Sequence, residues 1–262
     1  MFNHPKLGWF FYTFTPMKNE TTIFGIRAII EAIRSNETID KVFVQKGLKG
    51  ELFQELEALL RSEGINSSYV PVEKLNRLSK SGNHQGAVAH ISPIEFHDID
   101  DLVLNVIESG KTPLFLLLDQ LSDVRNFGAI VRTAECTGVS GIIIQKKGGA
   151  PINGDTIKTS AGAIFKIPIC KVDHIKDAVF HMQSSGIKVI AATEKANDFI
   201  YDVSFKEPCA IIMGSEGKGI NPSVLKVVDD QAKLPILGDI ESLNVSVACG
   251  AFLYEAVRQR RL

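Results

Sequence analysis

Apolar positions along the chain change period several times, and each change predicts an element. Ile23, Ile26, Ile29, Ile30 and Ile33 recur at the spacing of one helix face. Val42-Phe43-Val44 predicts a short strand, and residues 52–60 a second amphipathic helix stopped at Gly64. Residues 68–71 read as a strand, 72–78 as a helix and 87–91 as a closing strand. This gives a small alternating α/β unit over residues 21–93. Residues 94–112 change character: Asp98, Asp100 and Asp101 precede a helical run at 102–108, and Ser109-Gly110 ends it. That stretch reads as a linker carrying one helix.

A second unit is predicted over residues 113–262. The run 114–118 is continuously apolar, as expected of a strand buried on both faces of a parallel sheet. Further strands are expected at 141–144, 187–191, 210–213 and 232–236, with helices at 126–136, 173–183, 222–228 and 245–258 and a glycine-rich loop at 146–154. Strands alternating with helices at this spacing imply a helix-covered parallel sheet.

Composition constrains this picture more than it extends it. The 29 basic and 30 acidic side chains leave a net charge of −1, so any nucleic-acid site must be a local basic patch rather than a global field. The four cysteines, Cys136, Cys170, Cys209 and Cys249, form no CxxC pair and sit among apolar neighbours. They read as reduced, mostly buried thiols, and no metal site is expected. Residues 1–20 crowd six aromatic side chains ahead of Met17 without the layout of a signal peptide, and are read as a disordered tail or an over-extended start. No stretch reads as a membrane span. A cytoplasmic protein is expected.

Ligands of open α/β sheets bind beyond the carboxyl ends of strands, so the residues just after each strand carry the chemistry. Three such segments stand out. In the first, Asp119 to Thr133, Asn126 and Arg132 lie six residues apart on a helix entered directly from a buried strand. A guanidinium there suits phosphate binding, although on the pattern alone a capped helix with a surface arginine is the better reading. In the second, Met213-Gly214-Ser215-Glu216-Gly217-Lys218-Gly219 packs three glycines after a buried strand. It fails both the Walker and the dinucleotide templates. Glu216 would repel a nucleotide phosphate, so the loop suits a cationic or neutral ligand, or is simply a tight turn. In the third, Ser242-Leu243-Asn244 leads into the final helix, where Ser242 or Asn244 could serve as cap.

Taken together and in order, Asn126-Phe-Gly-Ala-Ile-Val-Arg132-Thr-Ala, Met213-Gly-Ser-Glu-Gly-Lys-Gly219 and Ser242-Leu-Asn-Val-Ser-Val-Ala248 resemble the SpoU/TrmH family of RNA ribose 2′-O-methyltransferases, of the knotted SPOUT class. In the first unit, Ile23-Phe-Gly-Ile-Arg-Ala28 and His84-Gln-Gly-Ala-Val-Ala89 look like the ends of the L30e-like RNA-binding domain that precedes the catalytic domain in some members. This two-domain form is most similar to bacterial enzymes that methylate a guanosine ribose in 23S rRNA. The resemblance implies a trefoil-knotted methyltransferase domain at 113–262 and a homodimer with the final helix in its interface. It also implies S-adenosylmethionine held at Gly214, Leu234 and Leu243, with Thr193 as a further contact.

The resemblance places Arg132 at the 2′-hydroxyl, with Asn126, Glu216, Ser242 and Asn244 around it. An arginine with an ordinary pKa above about 12 is a poor general base. The preferred reading gives Arg132 the neighbouring phosphate and the developing alkoxide, and sends the proton to a phosphate oxygen or to Glu216. Lys146, Lys147, Lys158, Arg258, Arg260 and Arg261, with Lys74, Arg77, Lys80 and His84 in the first unit, are candidates for RNA phosphates or plain solvated charges. A methyltransferase acting on tRNA or another rRNA site, and an RNA-binding member that has lost activity, remain as alternatives.

Overall fold

A computed structural model describes residues 22–239 and 242–261. The expected tail at 1–20 lies outside the described residues. The first unit comprises β1 (Thr22–Phe24), α1 (Ile26–Arg34), β2 (Ile39–Gln45), α2 (Glu51–Ser62), β3 (Ser67–Val70), α3 (Val72–Leu78) and β4 (Ala87–Ile91). Its sheet runs β1-β4-β2-β3, antiparallel except for the parallel β2–β3 pair. The period of two along β2 explains the layering: Val42 and Val44 pack with Ile29, Ile30 and Leu56 under α1 and α2, while Phe43 packs with Val70, Leu75 and Val88 under α3. Ile23 departs from the expected helix. It pairs with Ala89 in β1, and Gly25, at φ 97°, makes the break before α1 starts at Ile26.

The second unit carries α4 (Ile99–Glu108), β5 (Leu114–Leu118), α5 (Val124–Cys136), β6 (Gly141–Gln145), α6 (Gly154–Thr159), β7 (Ile169–Val172), α7 (Ile175–Ser184), β8 (Lys188–Ala192), β9 (Cys209–Met213), α8 (Pro222–Leu225), β10 (Asp230–Ala232) and α9 (Val245–Arg261). Its six strands are all parallel, in the order β10-β8-β9-β5-β6-β7. The β5 run divides its side chains between two layers. Leu114, Leu116 and Leu118 pack with Phe127, Ile130, Phe252 and Leu253 on one side, and Phe115 and Leu117 with Val179 and Met182 on the other. Burying each such leucine contributes about 1.5–3 kcal/mol.

Two expectations change. The stretch read as a linker is docked: Asp98 caps α4 by accepting from the amides of Asp100 and Asp101, and Leu102 and Val103 are buried against the second sheet. Helix α6 follows the glycine-rich loop expected at 146–154, and strand β7 lies in a stretch that the pattern leaves unassigned. The last strand spans Asp230–Ala232 rather than 232–236, because Pro235 cannot donate to a ladder. Among the described residues no helix is long and apolar enough to cross a membrane.

Candidate functional site

The carboxyl ends of β8, β9 and β10 and the start of α9 enclose a cavity of about 530 Å³. Its floor is the Met213–Gly219 loop. The loop closes on itself: the Gly219 amide donates to the Ser215 carbonyl at 2.9 Å, and the Ser215 amide returns a bond to the Gly219 carbonyl at 3.2 Å. Gly217 and Gly219 hold positive φ values of 79° and 66°, conformations that cost other residues free energy. Gly214 is required for a different reason. A Cβ there would overlap the Gly219 carbonyl carbon and the Ile220 amide nitrogen.

The loop is anchored from below by Asp119, the residue directly after β5. Asp119 is buried, and its Oδ2 accepts from the Asn221 amide at 2.7 Å. Burial pushes this carboxyl above the usual carboxylate range, with the Asn221 bond pulling the other way. The Asn221 side chain in turn accepts from the Ser223 amide and caps α8. Asp119 was not among the expected site residues. The signal available in the sequence is a carboxylate placed immediately after five continuously apolar positions, where burial is the default.

One side chain links the three motif segments. Asn244 Nδ2 donates to Asn126 Oδ1 at 3.0 Å and to Glu216 Oε1 at 2.7 Å. Its Oδ1 accepts from the Ser246 amide at 2.9 Å, the Ser246 hydroxyl at 2.6 Å and the Val247 amide at 3.4 Å. Asn244 therefore caps α9 and holds Asn126 and Glu216 together, with both donors and its acceptor committed. Asn126 is itself buried at the start of α5, where its amide donates to the Asp123 cap.

Gly214, Glu216, Ser242, Leu243 and Asn244 line the cavity, with Leu234 and the buried Thr193 on the β8–β10 side. Asn126 reaches the cavity rim only through Asn244. Arg132 is not brought to it: the side chain is exposed on α5, about 9 Å further along the helix than Asn126. It makes no hydrogen bond or ion pair among the described residues, and it does not line the cavity. Glu194 adds a second carboxylate to the walls, and Lys195, Lys218 and Lys233 stand beside them.

Several expected RNA contacts are committed elsewhere. Arg260 donates to the carbonyls of Phe205, Thr112, Pro113 and Glu207, tying α9 to the amino-terminal edge of the sheet. Arg258 is paired with Glu255 at 2.7 Å. His84 is buried, accepting from the Gly86 amide at Nδ1 and facing Asn76 Oδ1 with Nε2. Of the cysteines, Cys136 is exposed and the other three are buried.

Comparison with known proteins adds to this geometry. The model of the SpoU rRNA Methylase family matches residues 113–254. A second model, RNA 2′-O ribose methyltransferase substrate binding, matches residues 22–97. A Bacillus subtilis (strain 168) protein assigned to the TrmH family of tRNA/rRNA methyltransferases, YacO, is 36% identical over 91% of this chain and 95% of its own. The 23S rRNA (guanosine-2′-O-)-methyltransferase RlmB of Photobacterium profundum is 32% identical over 92% of this chain and 98% of its own. The crystal structure of the SpoU methyltransferase AviRb from Streptomyces viridochromogenes, in complex with the cofactor AdoMet, shares the fold. Its TM-score is 0.57 at 23% identity, covering 92% of this chain and 90% of that one.

Proposed function

Since the chain belongs to the SpoU rRNA methylase family, whose enzymes are RNA ribose 2′-O-methyltransferases, we propose that it methylates a guanosine ribose of 23S rRNA from S-adenosylmethionine bound in the cavity at the ends of β8, β9 and β10. The observation that carries the reading is the bridge from Asn244 to Asn126 and Glu216 on the rim of that cavity. The rRNA target is supported by the 23S rRNA guanosine methyltransferase that the chain resembles across nearly its whole length.

The residues present suit the cofactor. A cavity of about 530 Å³ lies within the range of small-molecule sites. Leu234, Leu243 and Phe252 offer apolar wall to an adenine ring, and Glu216 offers a carboxylate to a positive sulfur. When bound, S-adenosylmethionine supplies a methyl group on a cationic sulfonium. The chain's part is to align a ribose hydroxyl and to receive its proton. Glu216, oriented by Asn244, is the acceptor in this reading. Arg132, outside the cavity of its own chain, holds the adjacent phosphate with its planar fork across the proposed homodimer. Ser242, exposed on the same rim, faces the entering ribose.

The reading extends to the domain roles. Residues 21–93 carry the RNA, 94–112 join the units, and 113–262 hold the cavity, with the family's trefoil knot. It includes a homodimer built on α9, favoured by the exposed Val247 and Tyr254 on that helix, and a cytoplasmic site of action. Ribose-methylation mapping of 23S rRNA and tRNA from cells with and without the protein tests the target. Loss of one 2′-O-methylguanosine in 23S rRNA supports it, and loss confined to tRNA replaces it with the tRNA alternative. Arg132→Lys tests the phosphate role, since an ammonium lacks the fork geometry; near-normal turnover would count against it.

A further inference from the structure

The two units meet at a joint on β7, the edge strand of the larger sheet. There the stretch before α4 runs along the strand, with the His97 amide donating to the Ile169 carbonyl at 2.9 Å. Lys171, on β7, lays its ammonium 3.9 Å from the centre of the Phe96 ring. The same ammonium pairs with the Asp40 carboxylate of the first unit, and the two side chains are only 13% and 17% exposed. A second crossing bond runs from Asn66 Nδ2 to the Lys146 carbonyl at 3.1 Å.

Asp40 is an extra residue in its strand. The pairing of β2 with β4 passes from Ile39↔Ile91 to Lys41↔His90, which leaves Asp40 in a bulge. A bulge bends a strand and re-aims a side chain; here the re-aimed carboxylate meets the other unit. Neither charge is cheap to leave unpaired at this exposure, so the joint favours one closed arrangement.

Its location connects the joint to the chemistry. Lys146 and Lys171 stand at the carboxyl ends of β6 and β7, the edge of the sheet that also carries the cavity. From β9 to β7 is three strand spacings, roughly 14 Å. We infer that the Lys171–Asp40 pair is a latch that sets the first unit at a fixed angle to the methyl-transfer cavity, making both of them positioning residues for RNA that spans the two units. The inference rests on the reading that the first unit carries substrate RNA.

Full-length Lys171→Met and Asp40→Asn test it, with three readouts. These are methylation kinetics on an unmodified 23S rRNA transcript, S-adenosylmethionine affinity by calorimetry, and solution X-ray scattering. If the latched arrangement falls to about a tenth of molecules, the KM for the transcript rises about tenfold. The kcat and the cofactor affinity stay within twofold, and the radius of gyration grows. The exchanged pair, Lys171→Asp with Asp40→Lys, recovers most of the KM. An unchanged KM overturns the latch, as does a parallel loss of kcat and cofactor affinity, or an exchanged pair that recovers nothing. If the wild-type chain leaves the transcript unmethylated, the proposed function falls instead. Scattering then still decides the joint, and equal radii overturn it.

Discussion

Replacing Asn244 separates its two duties, because each depends on different atoms of one side chain. In Asn244→Ala the cap on α9 is lost, which costs about 1 kcal/mol. The bond to Asn126 contributes about another 1 kcal/mol, and that to the Glu216 carboxylate a similar amount, at the low end for a charged partner because Glu216 is exposed. The sum, about 2–3 kcal/mol, lowers the Tm by roughly 5–10 °C for a unit of this size. Asn244→Asp keeps the cap, since aspartate caps as well as asparagine, and its charge favours the helix start. It loses both donors and sets a carboxylate against Glu216. The expected result is a Tm drop of roughly 3–6 °C in the aspartate variant, smaller than the alanine variant's by the retained cap, but a kcat about a hundredfold lower in both, the scale of loss from small misplacements of reacting groups. Thermal melts and methyl-transfer assays on the two purified variants check this. An aspartate variant with near-normal turnover would reduce Asn244 to a helix cap and refute the bridging role.

Three further outcomes follow from the geometry. Gly214→Ala forces a Cβ into the Gly219–Ile220 backbone. It should cost about 1–3 kcal/mol of stability and weaken S-adenosylmethionine at least tenfold by calorimetry, and unchanged affinity would contradict the loop's role. Asp119 has a folded-state pKa raised by burial, so its contribution to stability is fullest below the unfolded carboxylate pKa and is lost as pH rises through the folded value. The Tm of wild type minus that of Asp119→Asn should therefore grow as pH is lowered from 7 towards 4, and a constant difference would exclude the effect. Burial pushes the Cys170 and Cys249 thiols up to about 12 and raises that of Cys209, leaving Cys136 exposed. Thiol titration should give one fast equivalent in the native protein and four after denaturation, and several fast equivalents would show the core to be looser than described.

What the chain discloses by pattern alone depends on how local the cause is. The run Leu114–Leu118 announces a doubly buried strand because every residue is apolar, and α2 announces itself by period. Strand β7 does not, because four residues interrupted by Lys171 give no clear period, and the pairing of that lysine with Asp40 is a contact between distant segments. β1 is three residues long and merges into the isoleucine spacing of α1. The site was legible as motifs and not as contacts. Asn126 and Asn244 are separated by 118 residues, and no periodicity predicts that they touch. Arg260, read as a free cation, was misjudged for the same reason, since its carbonyl partners lie 53 to 148 residues away.

The proposed function stands on methyl transfer from the cavity beside Asn244 to a ribose oxygen. Incubating the purified chain with methyl-labelled S-adenosylmethionine and an unmodified 23S rRNA transcript, then digesting the RNA to nucleosides, measures that transfer. Label is expected in a single 2′-O-methylguanosine; label on a base, or none in the RNA at all, refutes the proposed function.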